Sequence, residues 1–292
     1  MRVRLVAGLL AAVAETAIGA EPVAIVYSIS GSAWIQPAAG PREKAERFHW
    51  LSADTVIEVD ADSTVLLALV NGNRYELGPR TQATLAQNGE LRATAGPLRA
   101  LPSVPPLPHL APLAERPPAR VGALRIRGAR IARLYPNQGS SALPDQAVLS
   151  FEPFPGSASY KVQVEDESGN AVFSAETQTA SILVSPGVLR PGTRYHWTVR
   201  SLGGAATGRA EADFETVGAE NLAAREALRR TLEGAGDATS LALLAEVDGS
   251  LGLLSEARTG FAAALAKAPG DAALQCALAR VEQVLADAAR DP

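Results

Sequence analysis

Cysteine is nearly absent from this chain of 292 residues. Its one copy, Cys276, excludes an intrachain disulfide framework and any cysteine-rich zinc site. Histidine is almost as scarce. His49, His109 and His196 lie far apart, so no short histidine metal motif exists. An excess of positive charge is also missing: the net charge of -4 leaves no protein-wide footprint for a nucleic-acid partner, and none is expected. No G-x-S-x-G elbow, P-loop, H-E-x-x-H or G-x-G-x-x-G stands in the chain. With no acid/base pair to name, no catalytic residue, metal ligand or cofactor is assigned, and the chain is read as non-enzymatic. Nor is there an apolar run of the roughly 20 residues that a membrane-spanning helix needs, so no transmembrane anchor is expected. What is present is an ordinary globular balance, 47% hydrophobic and 20% charged, which excludes a wholly disordered chain. The length suggests two or three domains.

Residues 1–20 have the order of an export signal. Arg2 and Arg4 form a basic start, Leu5 to Ala14 an uncharged apolar run, and Gly19-Ala20 a small-residue exit before Glu21-Pro22. A secretory signal peptide is expected, with a periplasmic or extracellular destination. No cysteine follows the run, which excludes lipid attachment at a mature N-terminal cysteine.

Three changes of character follow. Residues 21–101 alternate like strands: Val23 to Tyr27, Ala33 to Ile35, Thr55 to Val59 and Thr64 to Val70. Asn71-Gly72 is a hairpin signal, because both residues tolerate φ > 0, and Arg74 to Leu77 returns from it. Five or six short strands make this a small all-β domain. Residues 102–120 are proline-rich, with seven prolines between Pro102 and Pro118, and read as an extended linker. Seven arginines lie around it (Arg99, Arg116, Arg120, Arg125, Arg127, Arg130 and Arg133) against Glu115 alone. They read either as solvated charge or as a contact for an anionic partner, such as a cell-wall polymer or lipid headgroups.

Residues 121–217 return to strands: Ala147 to Phe151, Tyr160 to Val164, Ala171 to Phe173, Ser181 to Val184 and Tyr195 to Val199, with Phe214 near the end. Regular strands between turns predict a β-sandwich. Residues 218–292 are rich in alanine and leucine. Leu222, Leu228, Leu232, Leu241, Leu244, Phe261 and Leu265 recur at helical spacing. Asp237 has the place of an N-cap, and Pro269-Gly270-Asp271 separates two helices, so three or four helices are expected. This segment carries eleven acidic and seven basic residues, which suits a basic partner surface.

Three resemblances cover most of the chain. Ala257, Phe261, Ala264 and Pro269 have the spacing of the second half of a tetratricopeptide (TPR) repeat, which places the repeat at 238–271. Asp248 departs from the pattern, since an aromatic is commoner there. A single repeat cannot bury its face, so residues 219–233 and 271–288 must supply its packing neighbours. Leu189-x-Pro-Gly-x-x-Tyr195-x-Trp197-x-Val199 resembles a fibronectin type III-like sandwich, with Tyr195 in the place of the tyrosine corner. Gly31 to Trp34, Ala53 to Val56, Ala61 to Ser63 and Asn71 to Pro79 resemble a FecR-type domain, with Ala53 where a glycine is usual. That resemblance implies an exported envelope domain. The iron-siderophore signal relay of the best-known members needs a cytoplasmic anti-sigma segment and a membrane span, which the sequence does not show.

Together these readings predict a multidomain chain, mainly β with an α C-terminus. The order is a FecR-like all-β domain, a Pro-rich linker, a fibronectin III-like sandwich and a short TPR-like α-hairpin array. Among polar residues, Glu165-Asp166-Glu167 reads as a hairpin tip, Asp60 and Asp62 as a turn, and His49-Trp50 as a partly buried pair at a domain edge. His196 is expected on the wet face of the sandwich. Trp34, Trp197 and Cys276 are expected in cores. The function expected is a cell-envelope scaffold that binds envelope proteins through its helices and sandwich faces. A cell-wall or polysaccharide-binding protein is the alternative, and an envelope signalling component related to FecR-type regulators a lesser one.

Overall fold

The computed structural model describes residues 22–106, 133–202, 208–233 and 236–287. The expected signal peptide lies outside them, as do linker residues 107–120 and most of the arginine cluster. The described chain is mainly β, with four helices at the C-terminal end.

The first unit holds ten strands, more than the five or six expected. They are β1 (Pro22–Ser30), β2 (Ala33–Gln36), β3 (Glu43–Lys44), β4 (Trp50–Ser52), β5 (Val56–Val59), β6 (Thr64–Leu69), β7 (Arg74–Leu77), β8 (Gln82–Leu85), β9 (Leu91–Ala95) and β10 (Leu98–Leu101). They form two five-stranded antiparallel sheets, ordered β10-β7-β6-β1-β4 and β3-β2-β5-β8-β9. Alternation in β5, β6 and β8 sends Ile57, Val59, Val65, Leu67, Ala83 and Leu85 into one shared core with Ile35 and Leu77. The strands not foreseen are β3, β4, β8, β9 and β10, of two to five residues each.

The β6–β7 hairpin turns at Asn71-Gly72, with Gly72 at φ 88°. Glycine is needed there for a second reason: a Cβ would stand 2.0 Å from the Val104 carbonyl oxygen. Residues 102–106 are therefore not free linker. The Val104 N–H donates to Gly72 O at 2.8 Å, and Val104 is buried.

The second unit is a β-sandwich. Its strands are β11 (Leu134–Tyr135), β12 (Ser141–Ala142), β13 (Val148–Phe151), β14 (Ser159–Asp166), β15 (Ala171–Thr177), β16 (Ser181–Leu183), β17 (Arg194–Leu202) and β18 (Arg209–Thr216). A three-stranded sheet, β11-β13-β16, faces a five-stranded sheet, β12-β18-β17-β14-β15, in which only the β12–β18 pairing is parallel. In β17, Tyr195, Trp197 and Val199 point inward and are buried, while Arg194 and Arg200 are exposed. Both large aromatics have partners for their polar ends, as burial demands. Tyr195 Oη accepts from the Arg190 N–H at 2.8 Å, and Trp197 Nε1 donates to Pro136 O at 2.8 Å. The first of these is the tyrosine-corner bond.

The helices are α1 (Ala219–Glu233), α2 (Ala238–Ser250), α3 (Leu254–Lys267) and α4 (Ala272–Asp287). Asp237 caps α2 by accepting from the Thr239 and Ser240 N–H groups, and Asp271 caps α4 through those of Ala273 and Leu274. Close approach of α2 and α3 needs Gly260, where a Cβ would lie 2.8 Å from that of Ala245. Cys276 is exposed, contrary to expectation. The buried face of α4 is Leu274, Ala277 and Val281, and at 100° per residue Cys276 falls away from it.

Tyr195→Phe removes the corner bond and leaves the Arg190 amide without its Tyr195 partner. We expect a loss of about 1–2 kcal/mol, read as a lower urea midpoint at unchanged slope.

Candidate functional site at the domain junction

Helix α2 is buried around its whole circumference from Ala245 to Ser250. Three packing partners contribute to this. Ala245 meets Gly260 of α3, Glu246 meets Trp50 of the first β unit, and Asp248 meets Arg225 of α1. At 100° per residue, Ala245 and Asp248 lie about 60° apart, and Glu246 points about 100° and 160° away from them. The helical array thus takes packing neighbours not only from α1 and α4, as expected, but also from the first β unit. Ile25, Tyr27, Phe48, Ala68 and Val104 of that unit share one core with Leu243, Phe261 and Leu274.

The loop between β3 and β4 delivers this contact. Phe48 is held at φ 68°, a region costly for a bulky side chain, by paired bonds to β1: its N–H donates to Val26 O at 2.6 Å, and the Val26 N–H donates to His49 O at 2.9 Å. The Phe48 ring meets Phe261 edge-on, with centroids 5.5 Å apart. Arg47 is the neighbouring anchor. Its Nε donates to Tyr27 O at 2.8 Å, its Nη2 to Thr239 Oγ1 at 3.4 Å, and its Nη1 to the Asp271 carboxylate. One side chain, 11% exposed, therefore joins the first β unit to the start of α2 and to the cap of α4. Burial pulls Arg47 below the usual arginine range, and Asp271 opposes that shift.

Glu246, 2% exposed, accepts from Trp50 Nε1 at 3.0 Å. Burial pushes its carboxyl above the usual range, against the Trp50 bond and the Arg280 charge. Asp248 and Arg225 form a buried two-pronged pair, with bonds of 2.5 and 2.9 Å. Burial works against the charge on Arg225, but the Asp248 bonds outweigh it and raise its pKa. Asp248 stands where the expected repeat pattern would have placed an aromatic.

The sandwich docks at the connection between α2 and α3. Tyr135 Oη accepts from the Ser255 N–H at 3.1 Å and so satisfies the first turn of α3, whose own cap residue, Leu253, makes no side-chain bond. Burial raises the Tyr135 hydroxyl, and Glu256 adds to the shift. The Ser141 N–H donates to Gly252 O at 2.8 Å, and Leu143 and Val217 enter the helical core.

The residues singled out in the sequence are scattered around this junction. His49 and Trp50 lie at its edge, with His49 Nε2 3.5 Å from Glu43. Trp34 is not in a core. It stands half-buried on the outer face of the second sheet, with the Arg42 guanidinium 4.8 Å from its ring, because β2 turns Ala33 and Ile35 inward instead. His196 faces outward, 2.8 Å from Asp213. Asp166 holds the β14–β15 turn by accepting from the Ser168 and Asn170 N–H groups, and these bonds keep its carboxyl below the usual range. Asp60 and Asp62 flank the β5–β6 turn, and Arg99 pairs with Glu76. Among the described residues, no three metal-binding side chains converge. The sequence reading missed Arg47, Arg225 and Glu246. One signal was available: Glu246 and Asp248 are two acids inside an otherwise uncharged run from Leu241 to Ser255.

No family model matches the chain, and no curated relative does. Among solved structures, it is similar to a segment of two fibronectin type III domains from chicken tenascin. The identity is 13% and the TM-score 0.24, covering 63% of this chain and 83% of that one. It is also similar to a tetra-tandem repeat from the extending region of a large adhesion protein, at 13% identity and TM-score 0.20, covering 68% and 42%. A third is the BSP domain of a biofilm-associated protein, at 12% identity and TM-score 0.19, covering 69% and 26%. These scores are too low to carry a functional argument.

Two substitutions test the junction. Arg47→Ala leaves Asp271 without its partner and is expected to cost about 2–4 kcal/mol in denaturant unfolding. Glu246→Gln keeps an acceptor for Trp50 but cannot ionise. Because the folded-state pKa of Glu246 is raised, its neutral form supports the fold below about pH 4.3, and that support is lost as pH climbs from there through the raised value. The variant should therefore match the parent near pH 4 and melt above it at pH 8. The expected gain is on the order of 1 kcal/mol, or about 2–4 °C in Tm.

Proposed function

We propose that the protein is an exported, non-enzymatic cell-envelope scaffold that binds other envelope proteins. Its FecR-type β-domain, fibronectin III-like sandwich and TPR-like helices act as one body. The observation that supports this is how buried charge is used. Arg47, Asp271 and Glu246 are committed to joining the first β unit to the helices, and Asp248 and Arg225 to joining α1 to α2. A body fixed in this way presents its outer surfaces at set distances, which suits holding partners in a defined arrangement. Its binding surfaces are then the outward faces of the sandwich and helices, because the β-domain covers the α2 face.

A second reading, polysaccharide binding, has one observation in its favour. Trp34 is half-exposed on an outer sheet face, in register with Lys44 and Glu58. Quenching of tryptophan emission by soluble cell-wall fragments, lost in Trp34→Ala, would support it, and unchanged emission would remove it.

The main reading is tested by cross-linking the full-length protein in intact bacteria and identifying both its products and its N-terminus. We expect a mature chain beginning near Glu21, in the envelope fraction, linked to envelope proteins. A cytosolic protein that retains Met1 would overturn the reading.

A further inference from the structure

The sheet edges are not equally protected. Most edge strands are very short: β3, β11 and β12 have two residues each, and β4 and β16 have three. β4 also lies against α2 through Trp50. β10 has four residues and carries Arg99, and β9 has five and carries Arg92. Short length and inserted charge are the usual means of blunting an edge. β15 has neither. It runs seven residues, Ala171 to Thr177, without proline or glycine, and Glu176 is its only charge. Its inner side pairs with β14, and its outer side pairs with no described strand. The one irregularity in the β14–β15 ladder lies at the turn end, so the ladder from Phe173 to Thr177 is regular. Alternate residues there turn an N–H and a C=O outward.

We propose that β15 is the surface through which two copies of this chain associate. The strands would pair antiparallel across a two-fold axis and join two five-stranded sheets into one of ten. The sequence of β15 favours a copy of itself. Centred on Ser174, self-pairing uses all seven residues and sets Ala171 opposite Thr177, Val172 opposite Glu176, and Phe173 opposite Ala175. Each glutamate thus faces a valine rather than its like, and its charge is already matched by Lys161, its cross-strand neighbour on β14. The large Phe173 ring faces a small residue, and the only self-facing side chains are two serines. Such an interface is isologous and closes at two copies instead of growing into a fibre. It involves neither the helical junction nor residues 1–20, so it stands or falls apart from the scaffold reading.

The test is sedimentation of the purified chain over a concentration series up to millimolar, together with site-specific cross-linking. In a Cys276→Ser background, Ser174→Cys places two thiols across the axis and should give a covalent dimer with a short bismaleimide. Ala93→Cys, on the exposed β9, should not. Ser174→Lys sets two ammonium groups face to face and should weaken dimerisation at least about tenfold, with Tm unchanged because the site is exposed. A parent chain that stays monomeric throughout would overturn the proposal. So would equal cross-linking at positions 93 and 174, or a dimer untouched by Ser174→Lys.

Discussion

A single guanidinium ties together parts of the chain more than two hundred positions apart. Arg47 takes a backbone carbonyl from its own β unit, a hydroxyl at the start of one helix and the carboxylate that caps another. Each contact would be modest in water. Buried together, they leave the cation no alternative partners, so the three elements must keep one arrangement. Phe48, beside it, contributes apolar area and the edge-on contact with Phe261. Its unfavourable backbone conformation is maintained because both of its neighbours are anchored. The array of helices, too small to bury its own faces, is completed by contacts from both β units.

That arrangement also explains the departures from simple patterning within the helices. Glu246 and Asp248 would be misplaced on a helix buried among apolar residues. Each instead meets a donor from a different neighbour: the Trp50 indole from the first β unit, and Arg225 from α1. Tyr135 does the same for the sandwich by giving the first turn of α3 the acceptor its own sequence lacks.

Much of the local architecture could be read from spacing. The Asn71-Gly72 hairpin, the inward file of Tyr195, Trp197 and Val199, and the Asp237 cap all follow from rules that act over a few residues. β3 and β4 could not be read, because two or three residues carry no period. Trp34 and Cys276 were misassigned for a related reason: residue type alone suggested a core, while the phase of their own elements turns them outward. The junction was least legible. A buried acid in a helix announces that a partner exists, but only the tertiary arrangement shows that the partner for Glu246 is an indole 196 positions earlier.

That separation has a consequence for the order of events in biogenesis. The loop bearing Arg47, Phe48 and Trp50 is made early, whereas the groups that receive it are among the last seventy-five residues. Until those arrive, two aromatic rings and a cation stay uncovered on an otherwise complete β unit. Such a long-range contact slows the final docking step and leaves the half-made chain with apolar surface open to wrong partners.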